Sequence, residues 1–292
     1  MTPPRLSIVI PSYRRTDLLS HCLHSVQLCR PADSEVIVVD DGSADGCVSR
    51  TASRFSDVLV VRLPKSRGFA AAANAGIARC QGDVIEMLND DAEVTPGWAE
   101  PALARFADPR TVAVAPLVLI HATANQARPR IDSAGDEFDT GGFARKRHHG
   151  ERLSEAHLTA GPVWGVSAAA GFYRRTTLQQ AGGFAESFGA YFEDVDLSMR
   201  LRERGGEIVY EPRSVVWHRV SASYGRVPSR KVIEQQSCNE ERLFWRQTTP
   251  GIRLRQFPRH LAVLAGKTAK RLAEGQIMPW LSGRLKAIRF AQ

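Results

Sequence analysis

The 292-residue sequence contains nothing close to the roughly 20 consecutive apolar residues that a membrane-spanning helix needs. Its longest candidate, Leu261 to Leu264, is broken within a turn by Gly266 and Lys267. The chain is therefore expected to touch a membrane at most, not to cross one. In the opening MTPPRLSIVIPSYRR, four apolar residues within Leu6 to Ile10 precede Pro11. That is too few for a secretory h-region, so a cytoplasmic location is expected. Cysteine is scarce: Cys22, Cys29, Cys47, Cys80 and Cys238 are odd in number and form no CxxC pair, which fits reduced thiols rather than a disulfide framework. No GxGxxG follows the first strand, which argues against a dinucleotide oxidoreductase. Gly266-Lys267-Thr268 resembles the end of a phosphate-binding loop, but the required first glycine is Leu261. His21, Cys22 and His24 crowd one predicted helix without a complete metal-ligand set.

What the chain has is enough apolar material for a core, 43% hydrophobic residues against 24% charged, which excludes a disordered or fibrous protein. The net charge of +8 is unevenly placed. From Arg226 to Gln292 there are 14 Lys or Arg against 4 Asp or Glu, leaving 25 against 27 in residues 1–225. The basicity belongs to the last quarter of the chain.

Short β-branched runs alternate with amphipathic stretches over the first ninety residues. Leu6 to Ile10, Glu35 to Val39, Val58 to Leu63 and Asp83 to Leu88 read as strands; Thr16 to Leu28, Ala44 to Phe55 and Ala70 to Cys80 read as helices. Runs such as IVI and VIVV lack polar alternation, as expected of strands buried on both faces of a parallel sheet. The pattern predicts an α/β, doubly wound, mostly parallel central sheet with flanking helices. Further on, a helix over Gly97 to Phe106 and a strand over Val112 to Val118 lead into a polar stretch, Ala122 to Ala160, read as a hairpin plus loop. A helix over Asp194 to Arg204 and strands near Glu207 to Tyr210 and Val215 to His218 follow. The expected organisation is 1–100 and 101–225 as the two halves of one domain, and 226–292 as a basic amphipathic helical tail.

In doubly wound sheets ligands bind beyond the carboxyl ends of the strands, where this chain places Pro11-Ser12-Tyr13, Asp40-Asp41-Gly42-Ser43 and Asn89-Asp90-Asp91. Asp40 and Asp41 can accept hydrogen bonds from a base N–H or ribose hydroxyls, or can cap the next helix. Arg67-Gly68, before a small-residue helix with Asn74 and Gly76, can bring backbone and a cation to a diphosphate; a plain buried helix is the alternative. Asn89-Asp90-Asp91 supplies hard oxygen ligands for Mg²⁺ or Mn²⁺, or simply a strand-ending turn. Glu193-Asp194 opens a helix, where a carboxylate can serve as a general base or offset the helix dipole. Asp196 and Arg200, four residues apart, read as a surface ion pair.

The segments SIVIPSY, VVDDGSAD, RGFAAAANAGI, GDVIEMLNDDAEV, GGFAESF and YFEDVDLSMRLRERG, in this order from Leu6 to about Tyr224, resemble family 2 of the inverting glycosyltransferases, which have the GT-A fold. The resemblance is to bacterial rhamnosyltransferase-like and related cell-surface glycan enzymes. It implies that Pro11, Ser12, Tyr13, Asp40, Asp41, Arg67, Gly68, Asn74 and Asp90 contact a nucleotide-sugar, with one of the aspartate pair accepting from the N3–H of uracil or thymine. Asn89 departs from the strict DxD pattern, so Asp91 is the expected direct metal ligand, joined by His218 in a segment with Ser221 and Ser223. Asp194 is the implied catalytic base, with Glu193 orienting the acceptor, and Trp164, Gly165 and Gly171 shape the acceptor pocket. The implied cofactor is a divalent metal, Mn²⁺ or Mg²⁺. The implied partners are a UDP- or dTDP-sugar and a lipid-linked or polysaccharide acceptor.

In the basic tail, Phe257, Leu261, Leu264, Thr268 and Leu272 recur at helical spacing among Arg259, Lys267, Lys270 and Arg271. Trp280, Leu281, Leu285, Ile288 and Phe290 do so among Arg284, Lys286 and Arg289. Such helices suit an anionic membrane surface at the inner face of the plasma membrane, or pack back on the protein. A nucleic-acid-binding protein is the weaker reading, because carboxylates clustered at the sheet edge repel phosphate unless a metal intervenes. A catalytically degenerate family member is favoured only by Asn89.

Overall fold

The β-branched runs form the centre of one sheet. In the computed structural model, which describes residues 5–121, 129–219, 228–247 and 250–288, β1 (Leu6–Ser12) pairs in parallel with β2 (Ser34–Asp40) and β4 (Val84–Met87). Strand β2 pairs in parallel with β3 (Val58–Arg62). Every residue of β1 and β4 is buried, as two covered faces require. Ile8, Ile10, Val36 and Val38 pack with Leu19, Leu23 and Val26 of α1 (Thr16–Cys29). On the opposite face Val9, Ile37 and Val39 meet Ala70, Ala73 and Ile77 of α3 (Phe69–Ile77). Helix α1 buries Leu19, Cys22, Leu23 and Val26, one stripe at helical spacing, and Pro31 follows its cap.

Helix α2 (Cys47–Ala52) is shorter than the predicted Ala44 to Phe55. Gly46 takes the left-handed conformation at φ 65°, and Asp40 accepts from the Ser43 N–H, holding the preceding residues in a turn. After β5 (Ala92–Val94) and α4 (Ala99–Arg105), the long β6 (Thr111–Ile120) and β7 (Ile131–Ser133) lead into a hairpin of β8 (Asp136–Asp139) and β9 (Phe143–Lys146). Next come β10 (Gly161–Pro162), β11 (Phe172–Arg174), α5 (Arg175–Gln180), α6 (Glu193–Glu203) and β12 (Glu207–His218). The two strands expected after α6 are one strand, irregular between Glu211 and Val215. Strand β11 lies antiparallel between β4 and β6, β12 runs parallel to β6, and β5 pairs with the end of β12. The sheet is thus mixed but mostly parallel.

The chain divides into two units. One comprises Met1–Asp136, Lys146–Gly189 and Glu193–Val220; the other comprises Glu137–Arg145, Ala190–Phe192 and Ser221–Gln292. The second unit is built from α7 (Arg230–Gln247), α8 (Pro250–Ala273) and α9 (Ile277–Ile288). Helix α7 lies within the expected helical extension, but no apolar periodicity marked its bounds, because it buries polar groups, Ser237, Asn239, Glu240 and Glu241, beside Leu243 and Phe244. Arg284 is buried against Glu240 and Glu241, Lys267 pairs with Glu240, Lys286 with Glu234, and Arg271 with Glu274. His260 stacks on Phe244 with ring centroids 3.7 Å apart. These ion pairs engage four of the tail's basic residues within this unit. Leu254, Leu261 and Leu272 of α8 remain exposed, at 80%, 49% and 65%. Among the described residues no helix is long and apolar enough to cross a membrane. Ser221, Ser223, Tyr224, Arg289 and Phe290 lie outside the described residues.

Candidate active site

The carboxyl ends of β1, β2 and β4 carry the polar turns. Ser12, the last residue of β1, donates to Asp90 Oδ2 at 2.7 Å, and Pro11 is buried within the strand. Tyr13 is 40% exposed, with the Arg14 guanidinium 5.0 Å above its ring. Asp40 is fully buried and turned inward, accepting from the backbone of Ser43 and Ser49 and, at 2.6 Å, from the Ser49 hydroxyl. Asp41 faces the 65–68 segment. It accepts from the N–H groups of Arg67 and Gly68, at 2.8 and 3.0 Å, and from the Ser66 hydroxyl. Gly42 makes this approach possible: it sits at φ 70°, and a Cβ there would lie 2.2 Å from the Lys65 carbonyl carbon. The Arg67 side chain, half exposed, pairs with Glu186 at 2.6 Å. The Asn74 amide exchanges two hydrogen bonds with the Phe184 backbone, so it braces α3 against that segment.

The Asn89-Asp90-Asp91 turn is held by pairing of β5 with β12, which puts His218 opposite Ala92. His218 Nε2 lies 3.0 Å from Asp91 Oδ1 and 3.3 Å from Asn89 Nδ2, while Nδ1 lies 2.9 Å from Asp132 Oδ2. Arg15 bridges Asp90 and Asp91 at 3.0 and 3.2 Å. Burial pushes the Asp90 carboxyl up to about 6, against the pull of Arg15 and Ser12. Burial disfavours the charged His218 ring, but Asp132 and Asp91 outweigh it and hold its pKa above the ordinary value. A carboxylate and an imidazole on one spot, with a second carboxylate beside them, form a donor set that fits Mn²⁺.

Asp194 opens α6 directly after Tyr191 and Phe192, two non-glycine residues in the left-handed region at φ 71° and 68°. It is half-buried, and its carboxylate accepts from the backbone N–H of Ala168 at 3.1 Å and of Val195 at 2.9 Å. Burial raises its pKa, while those bonds and Lys146 oppose the rise. Glu193 is buried, its Oε2 has no hydrogen-bond partner among the described residues, and burial with the Asp194 charge holds its proton on. Asp196 and Arg200 do pair, at 2.9 Å, but as a buried link rather than a surface one: the guanidinium also reaches the carbonyls of Ala181 and Gly183.

Gly165 and Gly171 are buried. A Cβ on Gly165 would lie 3.0 Å from Ser198 Oγ, and one on Gly171 2.7 Å from the Val166 side chain, so both positions are filled by packing. Trp164 is half-buried, with Arg202 6.0 Å from its ring centre. The sequence reading missed Arg15, Asp132 and Lys146. Lys146 falls in the stretch expected only as a hairpin plus loop, yet its Nζ lies 2.7 Å from Asp132, and its charge acts on Asp132, Asp136 and Asp194.

Another group of side chains with metal-ligand chemistry, His148, Glu151 and His157, is of a different kind. His157 Nδ1 accepts from the Ser154 N–H, which fixes the ring proton on Nε2, where it faces Glu151 at 3.1 Å. That nitrogen is a donor and has no lone pair to offer a metal.

Among solved structures, a mannosyltransferase from Pyrobaculum calidifontis in complex with GDP-Man and Mn²⁺ superposes with a TM-score of 0.61 at 17% identity, covering 98% of this chain and 87% of that one. GalNAc-T7 with UDP, GalNAc and Mn²⁺ also gives 0.61, at 19% identity over 82% of this chain and 47% of that one. At these identities the likeness is one of fold, and the fold is GT-A. Among curated proteins, a pre-mycofactocin glycosyltransferase of Mycobacterium tuberculosis is 32% identical over 214 residues, 73% of this chain but only 42% of the relative's length. An N-acetylglucosaminyl-diphospho-decaprenol L-rhamnosyltransferase of the same organism is 29% identical over 246 residues, 77% of this chain and 79% of the relative. The family model described as glycosyl transferase family 2 matches residues 7–181. With more than half of the chain matched and the acidic strand ends in place, the protein belongs to glycosyl transferase family 2.

Proposed function

We propose that the protein is a metal-dependent inverting glycosyltransferase that moves a sugar from a UDP- or dTDP-sugar to a hydroxyl of a lipid-linked or polysaccharide acceptor in cell-surface glycan synthesis. The observation that carries this reading is the pairing of Asp91 with His218 at the end of β4, in the same unit as a half-buried carboxylate, Asp194. The printed name of the rhamnosyltransferase relative, with its diphospho-decaprenol, supports a lipid-linked acceptor.

Asp91 and His218 would hold the divalent cation. Bound there, it would supply positive charge to stabilise the departing nucleoside diphosphate. Asp41, with three of its four acceptor sites filled from the 66–68 segment, keeps one for a base N–H. Asp90 and Ser12 would contact the ribose, and Arg67, half exposed and paired with Glu186, would supply a cation for phosphate. Asp194 takes the proton of the acceptor hydroxyl, aided by the raised pKa that burial gives it. Glu193, buried and holding its own proton, helps to orient the acceptor. Trp164 remains the side chain of its segment able to meet an acceptor. Inversion follows from a single displacement.

Asp194→Asn is expected to retain binding of the nucleotide-sugar and lose transfer by at least about a hundredfold, the usual scale for a general base. EDTA is expected to suppress turnover and added Mn²⁺ to restore it. Full transfer by the variant would remove Asp194 from the role of base, and activity unchanged in EDTA would remove the metal.

For localisation, we propose a peripheral station on the inner face of the plasma membrane through α8. Leu254, Leu261 and Leu272 share one exposed face, with Arg255, also exposed, to its side. Each basic residue near an anionic surface contributes about 1 kcal/mol. Arg284, Lys267 and Lys286 are engaged within the helical unit, so the apolar face and the other basic residues of the tail carry this reading. Leu254→Glu with Leu272→Glu should lower partition onto anionic vesicles at least tenfold. Unchanged partition would make α8 an ordinary surface helix.

A further inference from the structure

We infer that Asp132 is a positioning residue for the metal site, fixing the ring and tautomer of His218 so that Nε2 presents its lone pair beside Asp91. This rests on the metal reading of Asp91 and His218 given above.

Asp132 sits at the centre of β7, fully buried, and β7 is held in place by antiparallel pairing with β6. Its Oδ2 lies 2.9 Å from His218 Nδ1 and 2.7 Å from Lys146 Nζ. An ionised carboxylate can only accept, so the nitrogen facing it must carry a proton. Nε2 faces Asp91 Oδ1 at 3.0 Å, and once a metal displaces the proton that this carboxylate favours there, the lone pair lies on Nε2 because Asp132 holds the other proton on Nδ1. The side-chain amide of Asn89 lies 3.3 Å from that nitrogen. The residue that departs from the DxD pattern thus faces the ligand nitrogen of a neighbouring strand. Lys146 keeps Asp132 charged by direct pairing and is itself one-third exposed. Histidine ligands are commonly oriented in this way by a partner on the far ring nitrogen, and loss of the partner lowers metal affinity about 10- to 100-fold.

The test measures Mn²⁺ affinity by isothermal titration calorimetry on the full chain, without donor or acceptor, for wild type, Asp132→Asn, Asp132→Ala, His218→Ala and the double variant Asp132→Ala/His218→Ala. Asp132→Ala is expected to weaken binding about 10- to 100-fold. Asp132→Asn, which preserves shape and an acceptor oxygen, is expected to weaken it less. In the His218→Ala background the Asp132→Ala change should have no further effect. Affinity unchanged in Asp132→Ala, or an equal loss with and without His218, would overturn the inference.

A second readout needs no metal. Nitrogen-15 spectra of the histidine side chains at pH 9 should give His218 a protonated Nδ1 and a bare Nε2 in wild type, with mixed tautomers in Asp132→Asn. If wild type took up no Mn²⁺, the metal reading would fall. The spectra would still decide the role of Asp132, and an unaltered tautomer in the variant would refute it.

Discussion

Glu86 offers a quantitative check on the electrostatics beneath the site. It occupies the middle of β4 with no exposed surface, and Trp98 Nε1 donates to its Oε1 at 3.0 Å. Its Oε2 has no hydrogen-bond partner among the described residues. Burial pushes the carboxyl up to about 8, with only the Trp98 bond opposing. Between the ordinary glutamate value and about 8, the folded protein therefore holds a proton that the unfolded chain has released. Where the native state binds more protons, stability falls as pH rises, by up to about 1.4 kcal/mol per pH unit for one proton. Over this window the loss is on the order of 5 kcal/mol, fully absent below the unfolded value and complete above about 8. Glu86→Gln keeps the acceptor for Trp98 and cannot ionise, although its amide N–H groups are left unpaired at a cost of about 1–3 kcal/mol. The variant should be less stable than wild type near pH 5 and equal to it or more stable near pH 8. Urea unfolding of both proteins at half-unit intervals from pH 5 to 8.5 measures this directly. The difference between them cancels every other titrating group. A difference that stays constant across that range would refute the reasoning.

Other perturbations probe the site itself. Lys146→Met removes a positive charge that lowers the Asp194 pKa. The acidic limb of the pH–rate profile should therefore move to higher pH by roughly half a unit to one unit, and an unmoved limb would separate Lys146 from the base. Gly42→Ala must place a Cβ 2.2 Å from the Lys65 carbonyl carbon at a positive φ. It should cost at least about 2 kcal/mol in urea unfolding and weaken nucleotide binding by displacing Asp41, whereas a wild-type midpoint would contradict the close approach.

The alternation of buried strands and amphipathic helices over the first ninety residues was readable from the sequence because burial on both faces leaves a distinct pattern. IVI and VIVV became β1 and β2, and Leu19, Cys22, Leu23 and Val26 became the inner stripe of α1. The same pattern put Ser12, Asp41 and the Asn89-Asp90-Asp91 turn at the strand ends. The bounds of helix α7 were not readable, because hydrophobic periodicity is blind to a face that buries Asn239, Glu240 and Glu241 in ion pairs and hydrogen bonds.

The division of labour between neighbouring carboxylates was also beyond the sequence. Asp40 and Asp41 are adjacent and chemically identical, yet one turns inward to Ser43 and Ser49 while the other receives the Arg67 and Gly68 amides. Likewise Glu193 is buried with an unpaired oxygen while Asp194 is half-buried and hydrogen-bonded. Direction along a strand or helix decides these fates, and composition does not encode it.

By itself the sequence determined the layers, the acidic strand ends and the family, since these follow from local periodicity and ordered motifs. Only the tertiary structure joined Asp132, His218, Asn89 and Asp91, which are up to 129 residues apart in the chain. That meeting depends on β12 lying parallel to β6 while β5 and β7 pair back onto the ends of those strands, a register that no spacing in the sequence specifies.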